Sequence, residues 1–255
     1  MTNQLSSEQQ IQESQYYIPY HYIPILKSNY FSQYIDWSWG MNYILGLKTV
    51  LSCLKSHKFS SLLDIGCGDG RFLREVSENF PNVTLKGVDY SEAAIQLACA
   101  LNPTIDYAAL DITTESLSQK FEICTLIEVI EHIPPQNLPK FLASVSNLVE
   151  LNGFLILTVP HSNKPCNSKH YQHFNSSLIR KTLSPYFEIT YIKPFDKRSR
   201  INRLLLKAMG FNSHSYIITH PYLNFLLFQK IARDSNNIDE SECDRLLVVA
   251  QLRSS

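Results

Sequence analysis

The sequence predicts an α/β chain: a mostly parallel, seven-stranded sheet with helices on both faces. Three observations predict it. From residue 58 onward, short apolar runs of strand length alternate with segments whose apolar residues recur at helical spacing, the pattern of a covered parallel sheet. The first of these runs, Leu62-Leu-Asp-Ile65, ends in glycines at alternate positions, Gly66, Gly68 and Gly70, and the chain has only 8 Gly in all. Glycine lets the backbone turn sharply off a strand and lets a ligand lie against the main chain. The next run, Val83 to Val88, closes in an acid, Asp89, where a carboxylate meets ribose hydroxyls in a βαβ nucleotide crevice.

The elements follow in order. Residues 1 to 15 are polar, and the window from Tyr16 to Tyr43 then holds ten aromatics, both tryptophans included. We expect most of those rings to pack onto the core, with Tyr17, Tyr20, His21 and Tyr22 the ones facing a ligand. Trp39 to His57 is helical by its apolar spacing (Tyr43, Ile44, Leu47, Val50, Leu51, Leu54), which makes residues 1–57 an aromatic and helical extension before the main domain, 58–255. Within that domain the sequence places helices at Arg71 to Asn79, Ser91 to Leu101, Asn137 to Leu151 and Ser176 to Leu183. It places later strands at Ile105 to Ala108, Phe121 to Ile127, Gly153 to Val159, Phe187 to Ile192 and Leu246 to Leu252. An insertion from about 194 to 237 separates the last two strands. It holds two helical pieces, Ser199 to Met209 and Tyr222 to Arg233, with seven Lys/Arg against one acid (Asp196) between Phe195 and Arg233. It reads equally as a cap at the substrate mouth and as a solvated basic face.

Composition bounds the function. With 23 basic and 23 acidic residues, no global charge argues for a nucleic acid or an anionic membrane partner. The 6 Cys are scattered, without a C-x-x-C pair, and read as reduced thiols of a cytoplasmic protein. The N-terminus lacks the basic start and apolar core of a signal peptide, and no apolar run approaches the ~20 residues of a membrane span.

The glycine stretch is D-x-G-x-G-x-G, with Arg71 where a dinucleotide fingerprint would carry its last glycine. It resembles the first motif of class I S-adenosylmethionine (SAM) methyltransferases, a family with a Rossmann-like seven-stranded sheet. The resemblance covers residues 58 to 193 and Arg245 to Leu252. It implies SAM as cofactor, held by Asp64, Gly66, Cys67, Gly68 and Gly70, by Asp89 and Tyr90 at the ribose, by Asp111 and Ile112 flanking adenine, and by Glu128.

Thr125 to His132 matches the family's fourth strand and its exit, and Glu128-Val-Ile-Glu131-His132 is its most chemical stretch. If the chain turns helical there, positions 128, 131 and 132 share a face. Two carboxylates and an imidazole at that spacing are able to hold a divalent cation. The E-x-x-E-H pattern is similar to that of ubiquinone-pathway O-methyltransferases and of the enzymes that methylate the 2′-hydroxyl at the 3′ end of small RNAs, where two Glu and two His bind a metal. Carried over, that metal set is Glu128, Glu131, His132 and His173. The acidic-aromatic run that follows the last His in the RNA enzymes is absent; Phe174-Asn-Ser-Ser stands there. Three roles compete: His132 as a general base, a metal site, or a merely structural order at the loop. We favour the base over the metal, with His161 after the fifth strand as a further candidate.

The expectation is therefore a SAM-dependent methyltransferase acting on an oxygen of a small molecule, such as a sugar or secondary-metabolite intermediate, with an acceptor that is anionic if the basic insertion meets it. RNA 2′-O-methylation and a non-catalytic SAM-binding scaffold are the alternatives.

Overall fold

The structure, a computed structural model, describes residue 10 and residues 25–27, 30–32, 37–210, 216, 218 and 220–253. Tyr17, Tyr20, His21 and Tyr22 lie outside the described residues. Two short strands, β1 (Ile25–Lys27) and β2 (Tyr30–Ser32), pair antiparallel. The elements that follow are α1 (Trp37–Leu54), β3 (Ser61–Ile65), α2 (Arg71–Asn79), β4 (Thr84–Asp89), α3 (Glu92–Leu101), β5 (Asp106–Ala109) and β6 (Phe121–Ile127). Next come α4 (Leu138–Leu148), β7 (Val149–Pro160), α5 (Ser176–Leu183), β8 (Phe187–Lys197), α6 (Arg200–Ala208), α7 (Pro221–Asp234) and β9 (Cys243–Leu252).

The seven long-range strands form one sheet in the order β5-β4-β3-β6-β7-β9-β8, parallel except at β9, which runs antiparallel to both of its neighbours. The alternation of strand side chains divides the core in two. Leu63, Ile65, Cys124, Leu126, Leu155 and Leu157 face α4 and α5. Leu62, Ile123, Ile156, Leu247 and Val249 face α1, α2 and α3. Helix α1 joins that second face through Leu47, Val50, Leu51 and Leu54, the i, i+3, i+4, i+7 stripe, each nearly or wholly buried. Full burial of such a side chain contributes about 1.5–3 kcal/mol. Strand order reverses between β3 and β6, so the crevice above their carboxyl ends is where a ligand of this fold sits.

Helix α1 runs from Trp37 to Leu54 rather than from Trp39 to His57, and three boundaries further along differ from the sequence reading for a visible reason. Helix α4 stops at Leu148, because Val149 already pairs with Phe121 and the chain bends through Asn152 (φ 64) and Gly153. A Cβ at Gly153 would lie 2.8 Å from the Glu122 carbonyl oxygen. Strand β8 runs on through Pro194 to Lys197, since β8 is an edge strand and a missing N–H there breaks no ladder bond. Strand β9 starts at Cys243, and its inward Arg245 is neutralised by Asp196 (Nε to Oδ2, 3.0 Å). The insertion thus begins after Lys197. Its helices pack on the start of α1 through Leu206, Leu227 and Ile231 against Met41 and Leu45.

Candidate active site

One cleft of about 1160 Å³ lies over the carboxyl ends of β3, β4, β6 and β7. Its cofactor half is built by the glycine turn. Gly66 and Cys67 both donate their N–H groups to the Val88 carbonyl (2.8 and 3.1 Å), which swings the chain off β3. Gly66 (φ 74), Gly68 (φ 54) and Gly70 (φ 77) are all left-handed, the region a Cβ penalises. A Cβ at Gly66 would also lie 2.7 Å from Val129 Cγ2. The Asp89 carboxylate, at the end of β4, accepts from Gly68 N–H (3.0 Å) and Ser91 N–H (3.0 Å), which locks the acid to the turn. Asp64 is buried and accepts from the Thr125 hydroxyl at 2.6 Å. Burial chiefly, opposed by that hydrogen bond and assisted by the nearby Asp89 charge, pushes its carboxyl up to about 7. Burial also raises the Cys67 thiol, so Cys67 is a neutral wall.

Tyr90 and Asp111 line the cleft as well. Asp111 is exposed and accepts from the backbone N–H and hydroxyl of Thr113 (2.9 and 2.8 Å). Ile112 belongs instead to the core beneath, packed with the face that holds α4. The residue that replaces it at the cleft is Thr113. Across the cleft, α1 contributes Asn42, Tyr43 and Leu47.

The acceptor half is built by the exit of β6 and by the loop after β7. Glu128 has φ 55, a left-handed conformation uncommon outside glycine and concentrated at functional sites. Its N–H donates to the Thr158 carbonyl (3.1 Å), so the kink is pinned to β7. Only residues 130–132 turn helical, as a single 3₁₀ turn; Glu128 lies before it and does not share a helical face with Glu131 and His132. The loop from 162 to 173 is closed at its base by a bridge between His161 and Phe174, where Phe174 is fully buried. It folds back over the cleft, where Tyr171 N–H donates to the Glu131 carbonyl (2.8 Å).

That loop delivers His170 and His173 beside His132, and the hydrogen bonds assign their tautomers. A carbonyl only accepts. His132 Nδ1 therefore carries the proton given to Lys169 O (2.7 Å), and His173 Nδ1 the one given to Lys164 O (3.0 Å). His173 Nε2 is then an acceptor, so His170 Nδ1 donates to it at 2.7 Å. In their neutral forms His132 and His170 each keep a lone pair on Nε2. Their rings meet edge to face, centroids 4.8 Å apart. Burial first, then the His132 and His173 charges, depress His170 to about 3. Burial lowers His173 as well.

Glu131, fully buried, with His132 and His170, forms a group whose ligand atoms lie within 4.8 Å of one another. His170 thus enters where the carried-over set had Glu128 and His173. Both of those line the cleft but stand outside the group. Its signal was present, as one of two imidazoles in His170-Tyr-Gln-His173, but spacing alone does not tell which ring turns inward. His161 sits apart from the cleft. Its Nδ1 accepts from Asn163 N–H (3.0 Å) and its Nε2 donates to Glu240 Oε1 (3.0 Å), so it clasps β7 to the turn before β9 and has no lone pair to offer an acceptor. The cleft's cations are Lys140, Lys164, Lys169 and Arg245; no Lys or Arg between 197 and 237 lines it. Of the two readings of the basic insertion, this lining favours the solvated face over the cap.

A family model described as a methyltransferase domain matches residues 43–213, the span that holds every residue lining the cleft but Asn42 and Arg245. The chain belongs to the class I SAM-dependent methyltransferases. Its fold is shared with the solved N-methyltransferase NodS of Bradyrhizobium japonicum WM9 in complex with S-adenosyl-L-homocysteine (SAH), at TM-score 0.58 and 16% identity over 87% of this chain and 94% of that one. The plantazolicin methyltransferase BpumL, at TM-score 0.53 and 17% identity over 85% and 86%, has the same fold. In sequence the methyltransferase is 30% identical to a ubiquinone biosynthesis O-methyltransferase of Alkalilimnicola ehrlichii, over 47% of this chain and 49% of that protein. It is 23% identical to a putative methyltransferase of Invertebrate iridescent virus 6, over 60% and 55%. The chain spans about half the length of the curated relatives it matches. SAM is the family's cofactor, and the left-handed glycine cradle with Asp89 locked behind it fits that group: Gly66 to Gly70 would take its methionine part, Asp89 and Tyr90 its ribose, and Asp111 with Thr113 its adenine.

Proposed function

We propose that this methyltransferase transfers the SAM methyl group to an oxygen of a small-molecule acceptor, with His132 taking the hydroxyl proton. The observation that carries the reading is the tautomer chain: the Lys169 carbonyl takes the His132 Nδ1 proton and His173 Nε2 takes that of His170, so in the neutral form of each ring Nε2 is the basic nitrogen. When bound, SAM supplies a sulfonium methyl open to in-line displacement. The protein aligns the acceptor and removes its proton. His132 Nε2 would take the proton of the acceptor hydroxyl, and Glu131 beside it would stabilise the imidazolium that results. Lys164 and Lys169, on the loop, would meet an anionic group of the acceptor. An already nucleophilic nitrogen would need no such base, so the cluster favours oxygen.

His132→Ala should lower turnover by roughly 10²–10⁴-fold with SAM affinity retained, and the product's methyl carbon should show the NMR shift of an O-methyl group. An N-methyl product, or full activity in His132→Ala, would sink the reading.

A second reading is favoured by the Glu131, His132 and His170 group, two imidazoles and a carboxylate, each imidazole donating its other nitrogen as metal ligands do. Glu128 and His173 stand outside this group, so the four-ligand set is not assembled, and we place the base first. Activity should accordingly survive a chelator. Loss on chelation, restored by Mg²⁺, Mn²⁺ or Co²⁺ and abolished in His170→Ala, would establish the metal instead.

A further inference from the structure

Nine of the fifteen exposed large apolar and aromatic side chains among the described residues fall between Ile201 and Leu226. On α6, Ile201 and Leu204 are 63% and 67% exposed, and Leu205 lies between them and the buried flank of Asn202 and Leu206. At 100° per residue, Leu204, Ala208, Ile201 and Leu205 make one outward apolar sector, while Arg203, Lys207 and Arg200 make the sector beside it. Helix α7 repeats the pattern. Tyr222, Leu223, Phe225 and Leu226 are exposed over its first half, while Leu227 and Ile231 hold it to α1. Between the helices the Tyr216 hydroxyl donates to the Lys207 and Ala208 carbonyls (3.3 Å each), which sets an exposed aromatic ring at the end of α6.

The charge is as segregated as the apolar surface. Residues 198 to 233 contain six Lys/Arg and no carboxylate, in a chain whose net charge is zero. Among the described residues Arg200, Arg203 and Lys207 form no ion pair, and none of them lines the cleft. An apolar sector bordered by cations and an aromatic rim is the composition of a helix that lies in a membrane interface. No described helix is long and apolar enough to cross a membrane, so the contact is with the surface. We propose that the α6–α7 insertion seats this methyltransferase on an anionic lipid bilayer. The apolar sectors enter the headgroup boundary, and Arg200, Arg203 and Lys207 meet lipid phosphates.

The test is flotation of the full chain with vesicles of phosphatidylglycerol and phosphatidylcholine in equal parts, against vesicles of phosphatidylcholine alone. Binding should be confined to the anionic vesicles and fall with salt. Each Lys or Arg near such a surface contributes about five-fold in partition, so R200Q/R203Q/K207Q should bind about 100-fold more weakly. Leu204→Glu with Phe225→Glu should reduce partition more than ~10-fold by removing buried apolar area and adding charge of the wrong sign. All of these positions are exposed, and SAH affinity by calorimetry should be unchanged in both variants, which shows that they are folded. No vesicle binding, equal binding to both lipid compositions, or binding retained by both variants would overturn the proposal. So would a concentration-dependent dimer, seen by ultracentrifugation and lost in the Leu204/Phe225 variant, without vesicle binding; that result assigns the surface to a second copy.

Discussion

Asp89 is a carboxylate that serves the fold and that we propose serves the ligand as well. Two of its acceptor positions order the glycine turn and the start of α3, and the residue lines the cleft. Bonds from ribose hydroxyls to a carboxylate contribute on the order of 2–3 kcal/mol. Asp89→Ala should therefore weaken SAM or SAH binding by roughly 30- to 100-fold in titration calorimetry; unchanged affinity would remove Asp89 from the site. Asp64 makes a pH prediction. A carboxyl whose folded pKa, about 7, stands above its unfolded value takes up a proton on folding. Its contribution to stability is present below about pH 4 and is lost as pH rises through about 7. His170 acts oppositely: depressed to about 3, it lowers stability as pH falls below its unfolded value. The Asp64 part is isolated by Asp64→Asn, which keeps an oxygen for Thr125. The variant's melting temperature should gain on the parent's as pH rises from 4 to 8, and a constant difference would refute the shift.

At the scale of elements, the junction between α1 and the sheet depends on one buried ion pair. Arg245, on β9, reaches Asp196 at the end of β8 and the Asn42 carbonyl on α1, and lies over the Phe195 ring (4.7 Å to its centroid). Gly46 makes room, since a Cβ there would lie 2.6 Å from Arg245 Nη1. Asp196 holds its place at φ 65, in the left-handed region. Removing one partner of such a pair leaves a charge buried and unpaired, so Asp196→Ala should cost about 3–5 kcal/mol by chemical denaturation. Loss below ~1 kcal/mol would mean that the guanidinium finds water. The same element logic applies at the glycine turn: Gly66→Ala should destabilise the chain through its left-handed φ and Val129, and Val129→Ala in the same chain should restore part of the loss.

At the scale of the molecule, the cleft gathers groups from both faces of the sheet: the β3 and β4 ends, α1, the β6 exit and the loop after β7. A ligand bound there stabilises the whole fold. At 100 times its dissociation constant, SAH should add about 2.7 kcal/mol and raise the melting temperature by roughly 5–11 °C; no shift would contradict the cofactor assignment.

The sequence by itself determined the sheet, the glycine turn and the acid at the second strand's end. These depend on short-range physics: alternation of side chains along strands, the apolar stripe of each helix, and a left-handed turn that only glycine enters cheaply. It did not determine which imidazole faces the cleft. Glu128 leaves β6 in a left-handed kink instead of a helix, and the loop from 162 to 173 folds back over Glu131. His170 thereby displaces His173 and Glu128 from the cluster, and His161 turns away to Glu240. Nor did it determine what the basic insertion faces: Lys197 and Arg198 pair with Glu242 and Asp244 near the strand ends, and α6 turns Arg200, Arg203 and Lys207 away from the cleft. Those outcomes are set by contacts between residues tens of positions apart, whose geometry exists only once the sheet has formed.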